Sequence, residues 1–207
     1  MSRMTYEYEN TANCLETYEW DNVWWEHADE QGVPRALYIG DSISCAARIS
    51  ANAMSGKNMY FDGFGTSKAL DNPYFAPSVE LFAKQQGERA VVLFNNGLHG
   101  WHLSVDEYAE HYEKTVRFLL EEYKGTPLVL VMTTFVINEE RNARVIERNK
   151  KVSMIAEKYG LDVVDLYSVS QDVSEHIKPD GVHFTADGYG AFAEALLKCA
   201  KKYCGID

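Results

Sequence analysis

Three side chains that together could carry out nucleophilic catalysis lie near opposite ends of the sequence: Ser42, Asp180 and His183. A serine hydroxyl becomes a strong nucleophile when a base takes its proton, and the base needs a carboxylate to orient it. Asp180 precedes His183 by three residues, so its carboxylate can reach one ring nitrogen while the other nitrogen faces the serine. The sequence therefore predicts Ser42 as nucleophile, His183 as general base and Asp180 as the group that orients the base.

Each of these residues also has a purely structural interpretation. A serine after a strand often only caps the next helix, and an Asp-x-x-His motif can do the same. Asp41, next to the serine, is interpreted as an ordinary N-cap or turn residue without a catalytic role. The presence of all three chemical groups in one chain is what favours catalysis.

The elements that must bring these residues together alternate along the chain. Short, continuously apolar runs predict five strands that are buried on both faces, at residues 37–39, 58–61, 90–94, 128–132 and 162–166. Apolar residues spaced by three and four predict helices between them, one of which opens with a capping box from Ser104 to Glu107. This alternation predicts an α/β protein, a three-layer α/β/α sandwich with a parallel sheet of about five strands.

Several polar or glycine-containing segments directly follow predicted strands. In such sheets ligands bind at the carboxyl ends of the strands, so these segments should share one edge. An acyl-transfer site also needs donors for the oxyanion that forms on the substrate. The candidates are the amide of Ser42, the amide of Gly65 or of Gly63, and a side chain from the turn at residues 95–100.

From about Arg35 to the last helix, the chain resembles the SGNH/GDSL hydrolase family of serine esterases and lipases. The first family block matches residues 40–43, Gly-Asp-Ser-Ile, and the last matches residues 180–183, Asp-Gly-Val-His. The resemblance implies a flavodoxin-like sheet, with Ser42 as nucleophile, His183 as base, Asp180 as its orienter and Gly65 as an oxyanion donor. It implies ester substrates and no cofactor.

The third family block departs from its usual form, Gly-x-Asn-Asp. This chain reads Gly-Leu-His-Gly at residues 97–100. Alignment on the glycine puts His99 in the place of the asparagine, whereas alignment on the strand end brings Asn96 to that role. A neutral histidine can donate from one ring nitrogen, so we favour His99 and keep Asn96 as the alternative.

Trp101 and His102 follow this block and are interpreted as lining the substrate cleft. Trp101 could stack on a sugar ring or equally pack in the core. His99 and His102 also suggest a metal site, but two histidines without a clear third ligand make a poor zinc centre. We therefore predict no metal.

The N-terminal residues 1–34 differ from the rest and are interpreted as an aromatic-rich extension of the domain at residues 35–207. Their rings lie in an otherwise acidic segment: Tyr6, Tyr8, Tyr18, Trp20, Trp24 and Trp25. The extension could pack on the body of the protein, or it could form a substrate wall or a contact between two copies.

Composition excludes several classes of function. The 207 residues carry a net charge of −11, which disfavours nucleic acid and anionic membranes as partners. No apolar run reaches the roughly 18 residues of a membrane-spanning helix. No signal peptide opens the sequence, so we expect a cytoplasmic protein, although a secreted form without its leader would look the same. The four cysteines have no zinc-like spacing and are interpreted as free thiols.

The sequence thus predicts a serine esterase that removes small acyl groups, most simply acetyl groups, from a carbohydrate or other small molecule. A homo-oligomer is compatible with it. A thioesterase or lysophospholipase would use the same triad, and a catalytically silent carbohydrate-binding protein would retain the fold alone. A small-molecule binder without esterase chemistry would leave Ser42 and His183 apart.

Overall fold

A six-stranded sheet forms the centre of the protein. The computed structural model describes residues 12–206, so Tyr6 and Tyr8 of the aromatic extension lie outside the described residues. In chain order the strands are β1 (Asp21–Trp24), β2 (Arg35–Gly40), β3 (Tyr60–Thr66), β4 (Val91–Phe94), β5 (Leu128–Val131) and β6 (Asp162–Val164).

The spatial order of the strands is β1-β3-β2-β4-β5-β6. The five neighbouring strands β3, β2, β4, β5 and β6 pair in parallel, and β1 pairs antiparallel with β3. Without β1, the order is the 2-1-3-4-5 arrangement of flavodoxin-like sheets. The predicted fold of five parallel strands is confirmed, and the N-terminal segment adds a sixth strand at one edge.

Helices cover both faces of the sheet. They are α1 (Ser42–Ser55), α2 (Phe75–Gln85), α3 (Val105–Glu122), α4 (Glu139–Tyr159), α5 (Leu166–Asp172) and α6 (Ala186–Cys204), with a 3₁₀ turn at Ser174–His176. Helices α1, α5 and α6 pack on one face, while α2, α3 and most of α4 pack on the other. Within residues 12–206, none of these helices combines the length and apolar character needed to cross a bilayer.

The inner strands are buried on both faces because their side chains alternate between the two helical layers. In β2, Tyr38 packs towards α1 and α6, whereas Leu37 and Ile39 pack towards α2 and α3. Two-sided burial explains why these strands read as continuous apolar runs. The predicted capping box of α3 is also present, with Ser104 and Glu107 each bonding to the other's amide.

Strands β3 and β6 differ in length from their predictions. The sequence suggested that β3 ends at residue 61, but it continues to Thr66 through Gly63 and Gly65. It does so because β3 pairs with a strand on each side, and the two hydrogen-bonded ladders hold its glycines extended. Strand β6 stops at Val164 because Asp165 caps α5, accepting a hydrogen bond from the Ser168 amide at 2.9 Å.

Candidate active site

Ser42 is the first residue of α1 and lies directly beyond the carboxyl end of β2. Asp41 is the N-cap of this helix, as predicted, and its carboxylate accepts a hydrogen bond from the Ile43 amide at 3.0 Å. The Ser44 hydroxyl donates to the Asp41 carbonyl at 2.7 Å. These bonds fix the turn, and the Ser42 amide belongs to the first helical turn, where N–H groups favour negative charge.

The turn that carries Asp180 and His183 is fixed at several points. Gly181 has a φ of 79°, which glycine adopts without strain. Its amide donates to the Lys178 carbonyl at 2.9 Å, and its carbonyl accepts from the Ile137 amide at 2.9 Å. The turn therefore holds the carboxylate and the imidazole in a defined relation just before α6.

The three predicted side chains form one hydrogen-bonded chain. Ser42 Oγ lies 2.8 Å from His183 Nε2, although the residues are 141 positions apart in sequence. His183 Nδ1 lies 3.1 Å from Asp180 Oδ2. When Nδ1–H is donated to the carboxylate, Nε2 is the bare nitrogen that can accept the serine proton. The side chains of His183 and Asp180 are each 19% exposed, so the chain of bonds can be reached from solvent.

The surroundings of Asp180 keep its carboxyl ionised. Burial alone would raise the pKa of this carboxyl, but the net effect of its environment is to lower that pKa. The amides of His183 and Val182 donate to Oδ1 at 2.8 and 2.9 Å, and the imidazole adds a further favourable interaction. The stability gained from ionisation is present at neutral pH and is lost only as the pH falls through the lowered pKa. Asp180 can therefore stabilise an imidazolium at neutral pH.

Gly65 lies inside β3 and not after it, so its predicted position was wrong. The Tyr60 amide donates to the Pro34 carbonyl on the β2 side at 2.9 Å. Because successive amides of a strand point to opposite neighbours, the Gly65 amide points to its β1 partner, Asn22. An amide engaged in the sheet is not available to an oxyanion, so this geometry does not support the predicted donor role. A glycine is needed here for packing, since a Cβ would lie 2.1 Å from Cys45 Sγ.

Asn96 is better placed than Gly65 to serve the oxyanion. Its Nδ2 donates to the Lys68 carbonyl at 2.9 Å, and its side chain is fully buried. Asn96 follows β4 and Lys68 follows β3, while β2 lies between these strands. The hydrogen bond therefore passes over the carboxyl end of β2, where the chain turns to Ser42. An amide has two N–H donors, so one N–H of Asn96 is not used by the Lys68 carbonyl.

His99, the other predicted donor, is paired with the N-terminal segment. It is 1% exposed, and its Nδ1 lies 3.2 Å from Glu16 Oε1. In the tautomer that donates Nδ1–H to the Glu16 carboxylate, Nε2 carries no proton to donate. Among the described residues, Nε2 has no hydrogen-bond partner. This arrangement favours Asn96 over His99 as the third donor.

Single variants of Asn96 and His99 test which of the two residues is the third oxyanion donor. We expect Asn96→Ala to lower kcat by about 100- to 1000-fold, the loss that follows removal of one oxyanion donor. We expect His99→Ala to change kcat by less than about tenfold, because its ring proton is held by Glu16. Steady-state kinetics on an aryl acetate measure both. A larger loss of kcat in His99→Ala than in Asn96→Ala would reverse the assignment.

Arg148 of α4 fixes the loop after β4 through hydrogen bonds to its backbone carbonyls. It is 0% exposed, and its guanidinium donates to the carbonyls of Gly97 and His99 at 2.9 Å and of Gly100 at 2.6 Å. Burial lowers the pKa of Arg148 to about 10, so the group is still charged at neutral pH. A buried charge needs such partners to be tolerated. Arg148 therefore fixes the backbone on which both predicted donors stand.

Arg148 was not predicted from the sequence, although one signal was available. The predicted stripe of α4 runs through Val145 and Val152, and Arg148 lies on that same buried side. A charged residue in an apolar stripe indicates that its side chain makes buried hydrogen bonds, but the stripe alone does not reveal the partners. The carbonyls it binds belong to a distant loop.

Removal of this guanidinium should destabilise the protein. Arg148→Met would leave the buried carbonyls of Gly97 and His99 without this donor, while the Gly100 carbonyl would keep its hydrogen bond from the Leu103 amide. For the two carbonyls left unpaired we expect a loss of about 3 kcal/mol in the free energy of unfolding. Lys150→Met is the matched control, since the Lys150 side chain is 64% exposed on the same helix, and we expect about 0.5 kcal/mol or less. Urea denaturation measures both. Equal stability of the two variants would mean that the loop is held by other contacts.

Trp101 does not line a cleft. It is 3% exposed, and the guanidinium carbons of Arg141, Arg144 and Arg148 lie 4.8, 5.5 and 4.8 Å from its ring centroid. A ring enclosed in this way offers little face to a sugar, so this position does not support the prediction that Trp101 binds substrate. The alternative prediction of core packing describes its position.

His102 pairs with a carboxylate of its own. Its Nε2 lies 2.7 Å from Asp71 Oδ2, whereas His99 pairs with Glu16. The two histidines thus have separate partners. Among residues 12–206, no cluster of three or more histidine, cysteine, aspartate and glutamate side chains is placed to hold a metal ion. The predicted contact of His102 with substrate stays a prediction.

The N-terminal segment crosses the carboxyl edge of the sheet. Glu16 contacts His99 beyond β4, and Asp21 at the start of β1 lies 2.7 Å from the Lys68 ammonium beyond β3. Because β2 lies between β3 and β4, the residues between Glu16 and Asp21 pass the strand end that precedes Ser42. The segment is thus packed on the body of the protein, and its path borders the candidate site.

Comparison with known proteins identifies the fold. No family model and no curated protein sequence matches the chain. Solved structures do match: a lipolytic G-D-S-L family protein from Veillonella parvula, at 14% identity and a TM-score of 0.66, is similar over 80% of this chain and 97% of its own. An α/β hydrolase from the metagenome of Lake Arreo, Spain, is 16% identical with a TM-score of 0.64, over 81% and 94% of the two chains. An acetylxylan esterase from Geobacillus stearothermophilus is 16% identical with a TM-score of 0.61, over 84% and 95%.

These similarities define the class of architecture. The chain has the three-layer fold of GDSL-type hydrolases, as the sequence resemblance implied. At this level of identity the likeness concerns the fold. What the protein does with that fold must be argued from its own side chains.

Proposed function

We propose that this protein is a serine esterase that hydrolyses small carboxylic esters through an acyl-Ser42 intermediate. One observation supports this above all others, the hydrogen-bonded chain from Ser42 through His183 to Asp180. The alternative of a binder without esterase chemistry required Ser42 and His183 to lie apart. Their contact at 2.8 Å disfavours it.

The reaction follows from the geometry. Ser42 Oγ attacks the ester carbonyl carbon while its proton passes to His183 Nε2, and the carbonyl oxygen becomes an oxyanion. The Ser42 amide and the free N–H of Asn96 donate to that oxyanion. The imidazolium then protonates the departing alcohol, which leaves an acyl-enzyme. Water attacks this ester with His183 again as base, releasing the acid and restoring the serine hydroxyl.

For the acyl group we propose acetyl, carried on a carbohydrate. The presence of an acetylxylan esterase among the similar folds supports this choice. The exposed ring of Trp24 on β1 also supports a carbohydrate substrate, because an exposed indole can stack on a sugar ring.

A series of 4-nitrophenyl esters from acetate to octanoate, together with an acyl thioester, tests this proposal. We expect kcat/KM to be highest for acetate and to fall as the acyl chain lengthens. A maximum at the long esters would identify a lysophospholipase-like enzyme, and a preference for the thioester would identify a thioesterase. Absence of turnover on every ester would favour the hypothesis of a catalytically silent carbohydrate-binding protein.

A further inference from the structure

A groove of about 590 Å³ runs between β1 and α1 and is separate from the triad residues. Its walls combine two large aromatic rings, those of Trp24 and Tyr60, with an exposed aliphatic side chain and several polar or charged groups. Those used below are Asn22, Trp24, Glu26, Arg48, Ile49 and Lys57. Apolar walls with a few placed polar groups are typical of small-molecule sites.

Trp24 is exposed and yet held in place. Trp24 is 51% exposed, and its indole Nε1 donates a hydrogen bond to Glu26 Oε2 at 2.6 Å. The same carboxylate oxygen accepts from Asn52 Nδ2 at 3.2 Å. The Arg48 guanidinium carbon lies 5.6 Å from the indole centroid. An indole fixed by a hydrogen bond and a cation, with half its surface in solvent, is a preformed flat apolar platform.

Gly63 is required for this platform. A Cβ at Gly63 would lie 2.5 Å from Arg48 Nε, so only a glycine lets the arginine side chain lie across β3. The Arg48 Nη2 atom then donates to Asn22 Oδ1 at 3.2 Å. Arg48 is buried, so it supports Trp24 from beneath and does not project into solvent. This packing role explains the glycine that the sequence analysis had considered as an alternative oxyanion donor.

The groove lies on the helix that carries the nucleophile. Ile49, which is 64% exposed in its wall, follows Ser42 by seven residues. Seven residues are close to two full helical turns, so both lie on nearly the same side of α1, about 10 Å apart along its axis. A ligand extending from an ester at Ser42 along this face would reach Trp24.

The charges of the groove point to an uncharged ligand. Glu26 offsets one of the two cations, Arg48 and Lys57, and Arg48 is already engaged with Asn22 and the indole. The groove therefore lacks the strong single-sign field that would select a polyanion or a polycation. A ring with apolar C–H faces and many hydroxyl groups fits both the indole and the surrounding polar atoms.

We propose that this groove is a subsite for a neutral oligosaccharide, and that Trp24 stacks on one sugar ring of the chain whose ester is cleaved at Ser42. The second half of this statement rests on the esterase function proposed above. The first half, binding of a neutral sugar chain at Trp24, does not.

Partially acetylated xylo- and cello-oligosaccharides of increasing length, compared with 4-nitrophenyl acetate, test the subsite. We expect kcat/KM of the wild type to rise with chain length. Trp24→Ala should lose this rise, with KM for the longer substrates increased by about tenfold, while kcat/KM for the aryl acetate stays within about twofold. Tyr74→Ala is the matched control, because Tyr74 is 66% exposed and lies beside α2 on the other face of the sheet.

Binding of the corresponding unacetylated oligosaccharides, measured by titration calorimetry, separates the two proposals. Binding that Trp24→Ala weakens and Tyr74→Ala leaves intact would support the subsite even if no ester were hydrolysed. Hydrolysis that is independent of sugar length, with no oligosaccharide bound, would overturn the subsite and leave the esterase proposal standing. An equal loss of activity on aryl acetate and oligosaccharide in Trp24→Ala would show that the residue is merely structural, and would also overturn it.

Discussion

Replacement of Ser42 by alanine should lower ester turnover by about 10⁴- to 10⁶-fold, the largest effect we expect from any single variant. Without Oγ no acyl-enzyme can form, and the residual rate would come from water placed beside the remaining oxyanion donors. Hydrolysis of 4-nitrophenyl acetate measures the loss. Labelling with a fluorophosphonate probe, which requires an activated serine, should disappear with it.

Ser50→Ala is the control for this experiment. Ser50 lies in the same helix, eight residues beyond the nucleophile, which is about 12 Å along the helix axis. It should retain near-normal turnover and full labelling. If Ser42→Ala kept substantial activity, or if the probe still labelled it, another residue would have to be the nucleophile.

Replacement of His183 by alanine should have an effect nearly as large, about 10⁴- to 10⁶-fold. Ser42 would then lose the base that lies 2.8 Å from its oxygen. Asp180→Asn should cost about 10⁴-fold, because an amide can hold the ring in the wrong tautomer. Steady-state kinetics from pH 5 to pH 9 measure both. Since the pKa of the Asp180 carboxyl is already lowered, Asp180 should add no step to the pH profile of the wild type near neutrality.

His176→Ala is the control for the base, because His176 is nearby in the chain but pairs with Glu175 at the surface. It should stay within about threefold of the wild type. Added imidazole should restore part of the activity of His183→Ala and none of that of Ser42→Ala. Retention of most turnover in His183→Ala would require a different base.

The sequence predicted the triad and the fold because both depend on strong local patterns. Apolar runs separated by amphipathic stripes are sufficient to predict a layered parallel sheet, and parallel strands necessarily bring their carboxyl ends to one edge. Ser42 and His183 were found because each sits at a helix start whose position the pattern already gave. Their meeting is a consequence of the topology.

The parts that the sequence analysis missed depend on contacts between distant segments. Gly65 was expected after its strand because the predicted apolar run ends at residue 61, but pairing with β1 extends β3 past it. Trp101 was expected either to line the substrate cleft or to pack in the core, and three arginines of α4 lie around its ring. In both cases the partner comes from an element whose position relative to the loop cannot be read from local spacing. Charge and ring type alone do not reveal such pairings.

Strand β1 has a further effect on how this protein behaves in solution. The edge of a parallel sheet exposes a row of unpaired backbone groups that can template addition of a strand from another molecule. Here four residues of β1, each exposed to solvent, occupy the β3 side of the sheet. If that short strand detached, the backbone N–H and C=O groups of β3 would become free to pair with a strand of another molecule. Self-association and loss of the Trp24 platform would then arise from the same local event.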